Sequence, residues 1–307
     1  MSQSPALERA VANYNRARRK AFLRRVWADL RGRPDHLLAY DVVRAKARAG
    51  VPVYRGMQSV PLDKIVGSVN RYRDFDRAFL PIQDYTADRW TNIGRAYLDD
   101  VSLPPVQLYK VGEVYFVIDG NHRVSVAREL GREFIDAEVR ECRVRVPITE
   151  DIDPDDLEVI GEKAAFLEAT RLDETHPEAS IELTIPGGYH LLLEHIELHR
   201  YLQSQEWKRD FTFEEAATQW YEQVYLPLVQ VIRDTKALRD FPHRTEGDLY
   251  LWVIEHQYYL REQFGDRVTL REAARSFSQH FTSRPLRRFW HWLTVHALRI
   301  GSHNDHD

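Results

Sequence analysis

Between residues 87 and 99, Trp90, Ile93, Gly94 and Tyr97 recur at i, i+3, i+4 and i+7, which predicts one face of an amphipathic helix. The pattern then changes to period two. Val106 to Lys110 and Val114 to Ile118 are β-rich runs, and the Val111-Gly112-Glu113 spacer between them predicts a hairpin. A turn at Asp119-Gly120, a helix and a stop at Gly131 follow, and then a further strand from Phe134 to Val139. Upstream, residues 60–67 read as a short strand or turn entering a loop, which continues through residues 70–76.

Residues 6–49 favour helix, rich in Ala, Arg and Leu, with a turn at residues 31–35. Val11, Tyr14, Arg18, Phe22 and Arg25 share helical spacing, so basic and apolar side chains fall on one face. An acidic run at residues 150–156 reads as a linker. Beyond it the pattern predicts helices at about 157–170, 189–206, 213–236, 246–264 and 269–300, a strand at Ser180 to Ile185, and a kink or stop at Pro227. The expected organisation is a basic arm (1–50), a small α/β domain (51–149) and an all-helical domain (150–307). The fold class is α+β.

Charge changes the picture of the first segment. The 307 residues carry a formal net charge of −4, yet residues 1–50 hold 12 Lys/Arg against 4 Asp/Glu. Such an arm suits nucleic acid, an anionic lipid surface or the protein's own acidic body. No apolar run reaches the roughly 18 residues needed to span a bilayer. Cys142 is the single cysteine, so no internal disulfide forms. These features lead to the expectation of a cytoplasmic protein.

The densest chemistry is Asp119-Gly120-Asn121-His122-Arg123, set between a strand and a helix. Unsatisfied amides and a positive dipole end make a helix start a natural phosphate site. Gly120 permits a tight turn, and Arg123 offers a bidentate guanidinium at the exposed end of the helix. His122 supplies a proton or a hydrogen bond, and Asp119 a base, a metal ligand or a cap. A capped helix with incidental His and Arg explains the same residues.

Val60-Pro61-Leu62-Asp63-Lys64-Ile65, Asn70-Arg71 with Phe75-Asp76, a helix, Leu103-Pro104-Pro105, and Tyr115 through Arg123 occur in one order with short spacers. Over roughly residues 58–142 that succession resembles the ParB N-terminal/sulfiredoxin-like domain. The resemblance implies a small domain that binds a nucleotide or phosphorylated small molecule, ATP or CTP with Mg2+, with phosphates at the strand-to-helix turn. It places Asp119 and His122 as catalytic and Gly120, Asn121 and Arg123 as phosphate ligands. Ser68, Asn70 and Arg71 fall where the family has a second phosphate-facing segment. Sulfiredoxins carry Gly-Cys-His-Arg at this site, and Asn121 stands in place of the Cys, which removes peroxiredoxin repair. The partitioning proteins carry Gly-Glu-Arg-Arg, so this chain departs from the CTP-clamp motif. Free-serine kinases of the same fold carry Asp-Gly-His-His-Arg, which matches at Asp119, Gly120, His122 and Arg123 and implies NTP hydrolysis or phosphoryl transfer. The alternative is a non-enzymatic, ParB-like DNA-binding or regulatory protein that uses residues 1–50, with residues 269–293 as a second candidate segment; the sequence leaves the oligomeric state open, and a homodimer is compatible with either reading.

Weaker patterns lie downstream. His195 and His199 are spaced i, i+4, compatible with a metal but better read as a surface or interface pair. Residues 241–256 resemble a C-terminal domain of unknown function in other bacterial proteins. Within them Thr245 and Asp248 predict a capping box, and His243, Arg244 and Glu246 are a candidate polar site. Residues 269–293 have a helix-turn-helix flavour, but Phe289, Trp290, Trp292 and Leu293 suit core packing better than a DNA groove.

Overall fold

The computed structural model describes residues 4–31 and 35–264, together with 269, 272–274, 276 and 277. It divides into two compact units, Met1–Ala164 and Ala165–Asp307. The class is α+β: a mixed sheet with helices, an N-terminal helix and a helical C-terminal region.

In the first unit, α1 (Pro5–Arg31), β1 (Leu38–Ala39) and α2 (Tyr40–Lys46) precede β2 (Val53–Pro61), a 3-10 turn (Leu62–Lys64) and β3 (Ile65–Ser68). Then come α3 (Ala87–Leu98), the hairpin β4 (Val106–Val111) and β5 (Val114–Asp119), α4 (Asn121–Glu129) and β6 (Phe134–Cys142). Residues 60–67, expected as one strand or a turn, are the end of one strand, the 3-10 turn and most of a second strand. The sheet order is β1-β3-β5-β4-β6-β2, with β1, β3 and β5 parallel and β4 antiparallel to β5.

Central β5 is apolar at every position from Val114 to Val117 because both faces of the sheet are covered. Tyr115 and Val117 pack with Val124 and Ala127 of α4 on one face. Val114 and Phe116 pack with Tyr40, Val43, Cys142 and Ile152 on the other. The acidic run at residues 150–156 is held by those contacts: Ile152 and Leu157 are buried, and Asp153 and Asp156 form a capping box around a 3-10 turn.

A third layer lies outside α4. Val126 of α4 meets Trp90 of α3 and the inner face of α1, formed by Tyr14, Ala17 and Ala21. Of the mixed basic and apolar face read from the sequence, Tyr14 is buried while Val11 and Phe22 are exposed, and the packed face consists of Ala10, Tyr14, Ala17 and Ala21. Small side chains let the helices approach: a Cβ at Gly94 would sit 3.3 Å from Ala10 Cβ. Trp90 donates its indole N–H to Ser125 Oγ at 2.8 Å.

α5 (Leu157–Thr170) leads into the second unit, which holds α6 (Leu172–Thr175), α7 (Gly188–Trp207), α8 (Phe213–Trp220), α9 (Leu226–Thr235) and α10 (Glu246–Phe264). Pro227 neither ends nor sharply stops its helix. A π-helical turn, Tyr221–Tyr225, precedes it and absorbs the missing backbone donor and the ring's bulk. Residues 180–185 form no strand. Their Thr184 amide and hydroxyl donate to the buried Asp248 carboxylate at 2.9 and 2.7 Å, which ties the segment to the start of α10. Thr245 and Asp248 form the expected capping box. The helix-turn-helix-like pattern falls outside the described residues except for 269, 272–274, 276 and 277.

Candidate functional site

Gly120 begins α4 in the left-handed region, with φ of 108°. A side chain there would be strained, and its Cβ would lie 2.6 Å from Val106 Cγ1, so both backbone and packing require glycine. The helix closes at Gly131, φ 71°, where the Arg132 amide donates to Ala127 O at 3.0 Å.

Sheet topology brings together the two segments singled out from the sequence. β3 runs parallel to β5 with Ser68 opposite Val117, so the Ser68 to Arg71 loop and the Asp119 to Arg123 turn leave the sheet on one edge. Ligands of parallel sheets collect at such carboxyl ends. Ser68, fully buried, donates from Oγ to Val117 O at 3.2 Å and accepts from the Arg71 amide at 3.3 Å. Arg71 pairs with Asp74 at 3.1 Å, and Asp74 also accepts from the Tyr85 hydroxyl. Asn70 and Asp119 are exposed.

Asn121, His122 and Arg123 are buried. Asn121 Oδ1 and His122 Nδ1 have no hydrogen-bond partner. The imidazole lies edge-on to Phe75, with centroids 5.3 Å apart. Burial, then the positive charges of Arg89 and Arg71, push its pKa down to about 4. His122 is therefore neutral at pH 7, and the cations around it are guanidinium groups. Arg89, on α3, carries no motif signal in the sequence, and only the fold places its charge here.

Arg123 does not stand at an exposed helix end. Its guanidinium donates to Pro104 O, to Pro105 O at 2.8 Å and to the Asp119 carboxylate, and so braces the approach to β4 against the turn. It also lines a cleft of about 410 Å³ with Tyr97, Asp100, Arg132 and Asp136. Arg132 lies over the Tyr97 ring, 4.7 Å from its centroid.

The basic arm is folded onto its own unit. Arg18 pairs with Asp84, Lys20 with the buried Glu129 carboxylate at 2.9 Å, and Arg24 with Asp35 and Asp76, each at 3.2 Å. Burial outweighs the hydrogen bonds from Leu80 and Ala78 and pushes the Asp76 pKa up to about 6, with Asp35 adding to the rise and Arg24 opposing it.

Of the weaker patterns, Arg244 donates to Thr184 Oγ1 at 2.8 Å and lies over Trp252, and Glu246 pairs with Arg233. His195 Nδ1 and His199 Nε2 have no hydrogen-bond partner, and burial lowers both pKa values. No group of three or more His, Cys, Asp or Glu placed to hold a metal occurs among the described residues. No helix among them is long and apolar enough to cross a membrane.

Residues 188–282 match a family described as Domain of unknown function (DUF4032). No curated protein matches the chain. Among solved structures, a Pnob8-like ParB-N domain is similar over 79% of this chain and 98% of its own, at 10% identity and a TM-score of 0.21, a value too low to bear on topology.

Proposed function

We propose that the first unit binds a nucleotide or another phosphorylated small molecule at the edge where Ser68 to Arg71 and Asp119 to Arg123 meet. One observation carries the reading: two buried polar atoms without partners, Asn121 Oδ1 and His122 Nδ1, sit at a helix start beside the charges of Arg71 and Arg89. Helix-start amides and guanidinium groups fit a phosphate. In this proposal Arg71 and Arg89 supply the positive charge, and Arg123 holds the turn in shape through Pro104, Pro105 and Asp119. Neutral His122 donates a hydrogen bond. A bound anion would raise its pKa and make it a proton donor. Exposed Asp119, whose Oδ2 accepts from Arg123, keeps Oδ1 for a Mg2+ ion brought in with a triphosphate such as ATP or CTP. The cleft beside Arg123 has the volume for the body of such a ligand. Phosphoryl transfer or NTP hydrolysis is the stronger form of the proposal, with Asp119 and His122 as the catalytic pair.

Thermal unfolding in the presence of ATP, CTP and GTP, with and without Mg2+, tests the binding. At a hundredfold excess over Kd a ligand adds about 2.7 kcal/mol, and Arg71→Ala or Arg89→Ala removes that gain while leaving the ligand-free protein folded. Stabilisation by none of the nucleotides, or equal stabilisation of both variants, overturns the proposal. Release of inorganic phosphate, lost in Asp119→Asn, separates turnover from binding.

A further inference from the structure

The outward face of α1 stands apart from the site described above. Its inner face is held by Ala10, Tyr14, Ala17 and Ala21. On the opposite side, Phe22, Leu23, Trp27 and Leu30 are 56, 59, 59 and 75% exposed, and Val26 lies between them. At 1.5 Å per residue these five side chains form a strip about 12 Å long. Single exposed apolar residues are ordinary, but five on one helix face are a contiguous patch of the kind that meets a partner.

The partner's chemistry follows from what flanks the strip. Arg18, Lys20 and Arg24 are consumed by ion pairs within the unit. Arg19, Arg25 and Arg31 make none among the described residues. Arg25 lies 5.9 Å from the Phe22 centroid and Arg31 5.5 Å from that of Trp27. On one flank, Arg18, Arg19, Phe22 and Arg25 line a cleft of about 230 Å³, wide enough to take a small anionic group. On the other, Trp27 and Arg31 border a second cleft of about 430 Å³ that Arg24, Arg77, Asp35 and Asp153 also line. An apolar strip with Arg19 and Arg25 on one flank, Arg31 on the other and a tryptophan at the boundary complements an anionic lipid surface, where acyl chains meet the strip and headgroup phosphates meet these arginines. Duplex DNA offers the phosphates but leaves the apolar strip in water.

We propose that α1 docks the protein onto anionic membrane surfaces, lying in the interface with Phe22, Leu23, Val26, Trp27 and Leu30 inserted and Arg19, Arg25 and Arg31 on lipid phosphates. Because the inner face already holds the helix folded, binding does not carry the cost of forming it, unlike a free amphipathic peptide. The ion pairs of Arg18, Lys20 and Arg24 anchor the helix to the unit, so the whole unit is carried to the surface.

Flotation of the full chain with phosphatidylcholine vesicles containing about one third phosphatidylglycerol, against pure phosphatidylcholine, is the test. The expected result is binding to the anionic vesicles alone, weakened by salt. Arg19→Ala and Arg25→Ala each reduce partitioning about fivefold, and Trp27→Ala with Leu30→Ala reduces it about tenfold or more. All four positions are partly or largely exposed, so the unfolding midpoint stays at the wild-type value and loss of binding is separable from loss of fold. Three results overturn the proposal: no flotation with anionic vesicles, flotation unchanged by the Trp27 and Leu30 replacements, or a dimer in solution that those replacements dissociate.

Discussion

Acid should act on the first unit in two opposed ways, and replacing His122 separates them. The His122 pKa falls from an ordinary 6.5 to about 4 in the folded protein. Between those values the unfolded chain takes up a proton that the folded chain refuses, so stability present above pH 6.5 is lost as pH falls toward 4. At 1.36 kcal/mol per unit the full loss is about 3 kcal/mol. Asp76 works the other way. Its pKa rises from 3.8 to about 6, so its ionised form burdens the fold above pH 6 by about 3 kcal/mol. That burden lifts as pH falls through the same range.

The two nearly cancel, and between pH 7 and 4 the wild-type balance of these groups changes by less than about 1 kcal/mol. His122→Gln removes one side of it. Relative to its own stability at pH 7, that variant should gain about 2 kcal/mol by pH 4, whereas Asp76→Asn should lose about 3 kcal/mol over the same interval. Urea titrations at pH 7, 5.5 and 4, read by hydrogen exchange on peptides from β5 and α4, isolate this unit from the helical one. If His122→Gln and wild type keep a constant stability difference at all three pH values, the argument from a buried neutral imidazole fails.

Gly120→Ala should destabilise the first unit by about 2–4 kcal/mol, from the left-handed φ and the contact with Val106 together, and urea midpoints measure it. Ser125→Ala leaves the buried Trp90 N–H without its acceptor and should cost about 1–3 kcal/mol by the same assay, whereas Trp90→Phe in that background should recover part of the loss. Gly94→Leu forces apart helices that touch through Ala10. It should cost about 1–3 kcal/mol and raise protease cleavage within α1 first.

Where one periodicity dominated, the chain was readable. α3, the β4–β5 hairpin and the Gly120-to-Gly131 helix lie where the apolar spacing and the glycines put them, because each is built from local signals. The inner face of α1 was not readable. Hydropathy favours Val11 and Phe22 over alanine, while close helix packing selects small side chains, and the alanines won. Ile181, Leu183 and Ile185 alternate as a strand does, yet what receives that segment is the start of α10 through Asp248. At the site, the local turn was legible from Gly120 and the meeting of two segments from the family resemblance. The engagement of Arg123 by Pro104 and Pro105, and the presence of Arg89, depend on how α3 and its following loop fold back, which no local pattern encodes.

The first unit closes on itself across long stretches of chain. Lys20 waits for Glu129, and β2 at Val53 for β6 at Glu141. At roughly 5–20 residues per second, a ribosome needs on the order of 10 s to make the partners of what it has already released. During that interval the inner face of α1, built from Ala10, Tyr14, Ala17 and Ala21, has no partner to pack on. Contacts this distant in sequence also slow folding after release. Helix α1 therefore stays open to other contacts until its distant partners are made, and variants that weaken the β2–β6 pairing should reduce yield more than they reduce the stability of protein that has already folded.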